Sequence, residues 1–268
     1  MNLKSFNISM LNLSILLSWI SLTLNAQDII QSSRANCVKI ESSSAGISGT
    51  GFLYDAQYVA TCFHVVASIT AQDTITYWHI FQDLRVILST GDTVDAKCVS
   101  PPTKKDLSPL ISDFAVLKLS RKQFLNVKPN PIATVDTPLV VGSEIYFSGY
   151  PLATPAMVTH KGMISGISAD SNIICIQAPV NKGNSGGALL NAKGEVIGII
   201  SMREGGISQG LVELNKYIQS TESHGSVQLM GVDPLQATKE IINVLDTYIS
   251  TGIGYARSIK FLRKYLKE

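Results

Sequence analysis

The sequence predicts an all-β protein folded as two small packed barrels, and three observations carry that prediction. After residue 26 the chain is a succession of short apolar or alternating runs separated by turn residues. The runs fall into two sets of about six, on either side of a connector carrying Pro129, Pro131 and Pro138, which offer no amide donor to a ladder. Little before residue 209 is long enough to read as a helix.

Residues 1–26 stand apart from that pattern. They hold one charge, Lys4, then an apolar run from Met10 to Leu24, then Asn25-Ala26 before Gln27, which is the order of a secretory signal. Asn12, Ser14, Ser18, Ser21 and Thr23 interrupt the run, and it is shorter than the roughly 20 residues that cross a bilayer. The expectation is therefore an exported protein, periplasmic or secreted, with no stable membrane insertion once the signal is cut. Tethering by an uncleaved signal is the alternative. Cleavage after Ala26 leaves 242 of the 268 residues, enough for a substantial core.

Charge narrows the function classes. The chain carries 22 basic and 20 acidic residues, and removing Lys4 leaves 21 against 20, too even a balance to hold nucleic acid or an anionic membrane. A charged fraction of 16%, below the roughly 25% of an average soluble protein, argues against a disordered chain. Cys37, Cys62, Cys98 and Cys175 are widely and irregularly spaced with no CxxC, so they suggest no metal site; disulfides and buried free thiols both remain open.

The first set of predicted strands comprises Val38–Ile40, Gly51–Tyr54, Tyr58–Thr61, Arg85–Leu88, Thr93–Val99 and Phe114–Leu119, with hairpin turns at Asp55-Ala56-Gln57 and Thr90-Gly91-Asp92. Residues 126–138 read as the crossing linker. The second set comprises Glu144–Ser148, Met157–Ile167, Ile173–Gln177, Gly187–Leu190, Val196–Ser201 and Ile253–Ala256. Asp233-Pro234 opens a helix, an N-cap acceptor before a first-turn proline, with Leu235, Ile241, Ile242, Leu245 and Tyr248 at helical spacing. Ser258 is placed to cap a terminal helix that docks Ile259, Leu262, Tyr265 and Leu266 against the barrels.

The sharpest chemical signal is Lys182-Gly183-Asn184-Ser185-Gly186-Gly187. A serine nucleophile must be exposed on a backbone bent so that successive N–H groups face the attacked carbonyl, and glycine tolerates the torsions this needs. Alone, a glycine-flanked serine is more often a plain turn. A hydroxyl also needs a base, and the base an orienting carboxylate. His64 directly follows a predicted strand in Thr61-Cys62-Phe63-His64-Val65-Val66, and Asp113 opens Asp113-Phe114-Ala115-Val116-Leu117-Lys118-Leu119. Asp106 lies in a hydrophilic stretch without that context. His79, His160 and His224 have no partner motif, and Cys62 has no glycine-rich turn of its own.

These segments resemble chymotrypsin-fold serine proteases of the HtrA-like, bacterial type. Gly49-Thr50-Gly51-Phe52, TCFHVV, LSTGDTVDAKCV, DFAVLKL, Gly149-Tyr150-Pro151, VTHKGMISGI, GNSGGALL, GEVIGIIS and GIGYA at 252–256 occur in the family's order. The resemblance implies two six-stranded antiparallel barrels at right angles, with a catalytic triad of His64, Asp113 and Ser185 in the cleft. It implies an oxyanion hole from the N–H groups of Gly183 and Ser185, and no metal or organic cofactor. One protease domain would occupy 27–268: a first barrel over about 28–125, a second over about 139–256, and a C-terminal helix over 257–268, without the PDZ domain that commonly follows.

By the same resemblance the primary pocket is walled by Ala178 to Lys182, by Ser201, Met202 and Arg203, and by Gly252 to Gly254. No carboxylate stands among them, so a small aliphatic residue before the scissile bond is expected, with acidic preference as runner-up because of Lys182 and Arg203. Residues 207–251 form a helical insertion where the family has a short loop, either a packed decoration or a lid, exosite or oligomer contact. The function expected is an exported serine endopeptidase acting on protein or peptide substrates. The alternative is a catalytically silent or gated binding module of the same fold, and oligomerisation is left open.

Overall fold

A computed structural model of the chain describes residues 26–72, 75–99, 113–122, 127–134, 136–152, 154–203, 209–221, 228, 230–248, 252–260 and 262–263. The expected signal, apart from Ala26, and Asp106 and His224 lie outside the described residues.

Helix α1 spans residues 26–36 and leads into β1 (Cys37–Ser42), β2 (Ile47–Asp55) and β3 (Tyr58–Thr61). A single helical turn, α2 (Phe63–Val66), is followed by β4 (Ala67–Gln72) and β5 (Ile75–Ile80). Then come β6 (Leu84–Ile87), β7 (Thr93–Cys98) and β8 (Ala115–Leu119). The second half holds β9 (Glu144–Gly149), β10 (Val158–Ile167), β11 (Ile173–Gln177), β12 (Ala188–Asn191) and β13 (Val196–Arg203). Helices α3 (Gln209–Thr221) and α4 (Pro234–Tyr248) precede β14 (Ile253–Ser258).

Two closed antiparallel barrels result, in the orders β1-β2-β3-β8-β7-β6 and β10-β11-β14-β13-β12-β9, as the sequence predicts. Closure pairs every barrel edge, so no strand of either barrel is left as a template for another chain. Alternation selects the inward faces: in β7, Val94 and Ala96 are buried while Thr93, Asp95 and Lys97 are exposed. The second barrel closes on its own core, which includes Ile145, Phe147, Ile174, Ile176 and Leu189. The first barrel's core extends across the junction to Tyr146, Leu190, Val196 and Ile199. All twelve predicted strands are present, with ends displaced by a few residues.

Four features differ from the sequence reading. Helix α1 was hidden because its buried face is largely polar: Ile29, Ser33 and Asn36 are 8%, 5% and 2% exposed, so no apolar stripe marks it. Hydrogen bonds replace the stripe. Ser33 and Ser148 hydroxyls are 2.8 Å apart, Asn36 Nδ2 donates to Lys128 O at 3.1 Å, and Asn130 Nδ2 donates to Ser32 Oγ at 2.8 Å and Gly194 O at 3.1 Å. Hairpin β4–β5 forms a separate two-stranded sheet in a stretch with no predicted element. The proline-bearing connector does more than cross: Pro131 O accepts from Val196 N–H at 2.8 Å, and Ala133 N–H donates to Val196 O at 3.0 Å. Finally, β14 runs on to Ser258 because Ile199 and Gly198 pair with Arg257 and Ser258, so helical geometry begins at residue 260 rather than 257.

Within the terminal segment, Ile259 and Leu262 are 4% and 1% exposed in the first core, as a docked helix requires. Asp233 caps α4 as the sequence predicts, its Oδ1 accepting from Leu235 and Gln236 N–H at 2.9 and 3.2 Å. Of the predicted apolar face, Ile242 is buried while Leu235, Ile241 and Leu245 are exposed, and the side chain of Tyr248 lies outside the described residues. Among the described residues, Cys37, Cys62, Cys98 and Cys175 form no disulfide.

Asn130→Ala removes the bond from the connector to Ser32 of α1 and leaves Gly194 O without that donor, so it lowers the unfolding free energy by about 1–3 kcal/mol. Urea titration reads this directly. Lys128→Ala is the control, because that residue contributes its backbone carbonyl, and it leaves stability nearly unchanged.

Candidate active site

The site lies where the barrels meet. His64 sits on α2 directly after β3, Asp113 stands two residues before β8, and Ser185 lies in the turn before β12. Strand β3 pairs with β8, Thr61 opposite Ala115, and that register brings the histidine and the aspartate together.

Asp113 is the most constrained of the three. His64 Nδ1 lies 2.9 Å from both carboxylate oxygens, His64 N–H donates to Oδ1 at 3.2 Å, and Ser201 Oγ donates to Oδ2 at 2.5 Å. Its φ of +24° is unusual for a residue with a side chain, a strain of about 1–3 kcal/mol that these bonds offset. Burial by itself pushes the Asp113 pKa up, but the charge and hydrogen bonds of His64 and the Ser201 hydroxyl hold it below the ordinary carboxylate value. Burial likewise disfavours the charged form of His64, while the Asp113 hydrogen bond and charge outweigh it and raise the pKa above 6.5. The His64 side chain is 41% exposed and that of Asp113 6%, so the ring faces the cleft and its partner lies behind it.

Ser201 joins this pair to the serine. While its hydroxyl serves Asp113, its carbonyl accepts from Ser185 Oγ at 2.9 Å. The Ser185 hydroxyl is therefore engaged with Ser201 O, and no hydrogen bond joins it to the His64 ring. Around the serine, Asn184 N–H donates to Asn181 O at 3.0 Å, Gly186 N–H to Ile200 O at 2.7 Å and Gly187 N–H to Asn184 O at 3.1 Å. The N–H groups of Gly183 and Ser185 find no backbone acceptor among the described residues.

Glycine is required at two points of this turn. Gly183 and Gly186 have φ of +96° and +95°. A Cβ on Gly183 would lie 2.3 Å from Tyr150 O, and one on Gly186 would lie 1.9 Å from Thr50 O.

The residues expected to wall a pocket have the following placement. Ala178 and Ser201 are buried, Lys182 is exposed, and Arg203 pairs with Gly254 between β13 and β14. The side chains of Met202 and Arg203 lie outside the described residues. Gly252 has φ of +77°. Gly254 lies against Val180, whose Cγ2 is 2.2 Å from where a Cβ would stand, so Val180 fills the space a side chain at 254 would need. Cys62 Sγ, His64 and Asp113 have ligand atoms within 4.8 Å of one another, a spacing compatible with a cation, although His64 and Asp113 are already paired.

The sequence pattern of the trypsin-like peptidase domain matches residues 49–199, more than half of the chain. The chain belongs to that family. It is 32% identical over 163 residues to the chloroplastic Protease Do-like 1 of Arabidopsis thaliana, covering 57% of this chain and 32% of that protein. It is 32% identical over 160 residues to the periplasmic serine endoprotease DegP of Escherichia coli K12, covering 56% and 29%. To the serine protease Do-like HtrA of Lactococcus lactis it is 28% identical over 221 residues, covering 76% and 45%. The chain thus spans about a third to a half of the length of these relatives. The crystal structure of a serine endoprotease from Yersinia pestis superposes with a TM-score of 0.56 at 19% identity, over 90% of this chain and 65% of that one, a likeness of fold.

Within this trypsin-like domain, the residue that sequence reasoning missed is Thr50. It is fully buried in β2 of the first barrel and yet holds the serine turn of the second. Its N–H donates to Ser185 O at 2.9 Å, and its hydroxyl donates to Gly183 O at 2.6 Å and accepts from Tyr150 N–H at 3.0 Å. Thr61 Oγ1 in turn donates to Thr50 O at 2.7 Å. The only signal in the sequence was a threonine between two glycines, with no chemistry attached to it. Thr50→Val keeps the shape but leaves Gly183 O and Tyr150 N–H without this partner, so unfolding free energy falls by about 1–3 kcal/mol in urea titration. Thr50→Ser, which retains the hydroxyl, loses less.

Proposed function

We propose that this chain is an exported serine endopeptidase, with Ser185 as nucleophile, His64 as general base and then acid, and Asp113 as the group that orients His64. The observation that supports it best is the link through Ser201, which brings Ser185 to the His64–Asp113 pair beside two uncommitted N–H groups. On substrate binding the Ser185 hydroxyl turns from Ser201 O toward His64 Nε2. His64 takes its proton as Oγ attacks the peptide carbonyl, then delivers the proton to the leaving amine. Gly183 and Ser185 N–H groups receive the carbonyl oxygen as it becomes negative. Water then repeats the sequence on the acyl-enzyme and regenerates the serine.

The pocket chemistry supports small aliphatic residues before the scissile bond. Ala178, Val180 and Ile176 are apolar and at most 4% exposed, and Val180 against Gly254 limits depth. None of these residues offers a counter-charge to Lys or Arg. Export rests on the order of residues 1–26 and on relatives named as periplasmic. Among the described residues no helix is long and apolar enough to cross a membrane.

A gated version of the cleft is favoured by one observation, the Ser185 hydroxyl resting on Ser201 O instead of His64. Fluorophosphonate labelling decides between active and silent cleft. The expected outcome is covalent labelling at Ser185 with casein hydrolysis, both lost in Ser185→Ala; a folded chain that never labels contradicts the enzyme. Peptides varying only the residue before the cut are expected to be cleaved faster after Val or Ala than after Lys or Arg.

The pH profile follows from His64. A general base must be neutral to work, and its pKa is raised, so kcat/KM climbs with pH along an acid limb centred above 6.5. Asp113→Asn removes the carboxylate that raises it, moving the limb to lower pH and cutting kcat by about 10⁴-fold, the loss seen in the trypsin-type template.

A further inference from the structure

Arg257 carries a charge that neither the serine turn nor the His64–Asp113 pair uses by contact. It lies on β14 opposite Ile199 of β13, and residues directly opposite in a ladder put their side chains on one face of the sheet. Ile199 is 1% exposed in the core of the first barrel, and so is Ile259 at 4%, two residues beyond Arg257. That face of β14 therefore looks onto the first barrel. Arg257, 6% exposed, is buried where the two barrels meet.

Asp113 and Arg257 are the only charged residues buried among the described ones, and their signs are opposite. They do not pair with each other. Asp113 is committed to His64 and Ser201. Arg257 forms no ion pair among the described residues, and its Nε is buried without a hydrogen-bond partner. A buried cation in that condition is costly, yet a guanidinium does not shed its charge at any ordinary pH. The junction thus holds a fixed positive charge beside the one buried carboxylate.

His64 feels both. Burial disfavours the charged ring, the hydrogen bond and charge of Asp113 outweigh burial, and the charge of Arg257 acts against Asp113. Other titratable groups near the ring add little: burial keeps Cys62 a protonated thiol, Lys182 of the serine turn is exposed, and Tyr77 and His79 stand on the exposed side of the hairpin packed beside α2. The carboxylate that orients His64 also favours the imidazolium, and a ring already charged has no lone pair for the Ser185 proton. A cation buried in the same junction has the opposite effect. We propose that Arg257 is a positioning residue of the hydrolysis, a buried cation that opposes charging of His64 and so keeps the imidazole neutral and ready to accept the Ser185 proton. This role rests on the endopeptidase reading of the same site.

NMR titration of the histidine-labelled Ser185→Ala chain tests it without turnover, and His64→Gln identifies the ring's resonance. Arg257→Met and Arg257→Gln each remove the charge at similar length, and replacing an unpaired buried charge is commonly neutral or stabilising. Both are expected to raise the ratio of charged to neutral His64 about three- to tenfold at a given pH, moving its titration to higher pH, while exposed His79 titrates as before. Arg257→Lys, which keeps a cation, is expected to stay near the parent. With Ser185 intact, the acid limb of kcat/KM moves to higher pH in the neutral variants by the same ratio. A folded neutral variant whose His64 titrates as in the parent or lower overturns the proposal, as does a Lys variant displaced as far as Met or a limb that does not follow the titration. The endopeptidase reading fails separately, by absence of fluorophosphonate labelling at Ser185 in the unaltered chain.

Discussion

The architecture of the site depends on one buried threonine. The two barrels fold on largely separate cores, and the serine turn belongs to one while the histidine and aspartate belong to the other. Thr50 fixes their relation, because its N–H and hydroxyl engage both Ser185 O and Gly183 O while Thr61 secures it from behind. The Ser201–Asp113 bond and the Cys62 thiol, which donates to Ile200 O at 3.1 Å, cross the same boundary. In a buried, low-dielectric seam each such bond is costly to leave unmade, so the barrels have one favourable docking and the site inherits it.

That docking explains why glycine and not some other small residue stands at 183 and 186. The turn is pressed between Thr50 and Tyr150, and both positions have positive φ with backbone oxygens where a Cβ would be. With the Asn184 and Gly187 N–H groups committed within the turn and that of Gly186 to Ile200 O of β13, Gly183 and Ser185 are the donors left over. The geometry that makes the turn rigid thus also leaves two N–H groups beside the serine for an incoming oxygen.

Both barrels and the candidate triad were legible in the sequence because they rest on local signals: period-two alternation, proline in the connector, and glycines around one serine. The chemistry of Ser185, His64 and Asp113 needs those residue types in strand-end contexts, and the contexts are short enough to read. What was not legible depends on partners distant in sequence. Helix α1 is held by polar contacts from Ser33 and Asn36 to the connector and β9, which no apolar periodicity reveals. Thr50 reads as an ordinary strand residue until the second barrel is set beside it. Hairpin β4–β5 carries alternation in Ile75–Ile80, but its place outside the barrels follows from Trp78 packing on Phe63.

The central claim is that the barrel junction presents Ser185 to His64 and to an oxygen held by Gly183 and Ser185 N–H. A crystal structure of the chain after reaction with a small fluorophosphonate tests it most directly. The account predicts phosphorus bonded to Ser185 Oγ, the Ser185 bond to Ser201 O broken, and the phosphoryl oxygen about 2.7–3.1 Å from both N–H groups with the His64–Asp113 pair intact. An adduct on another residue, or a phosphoryl oxygen turned away from both N–H groups, would contradict it.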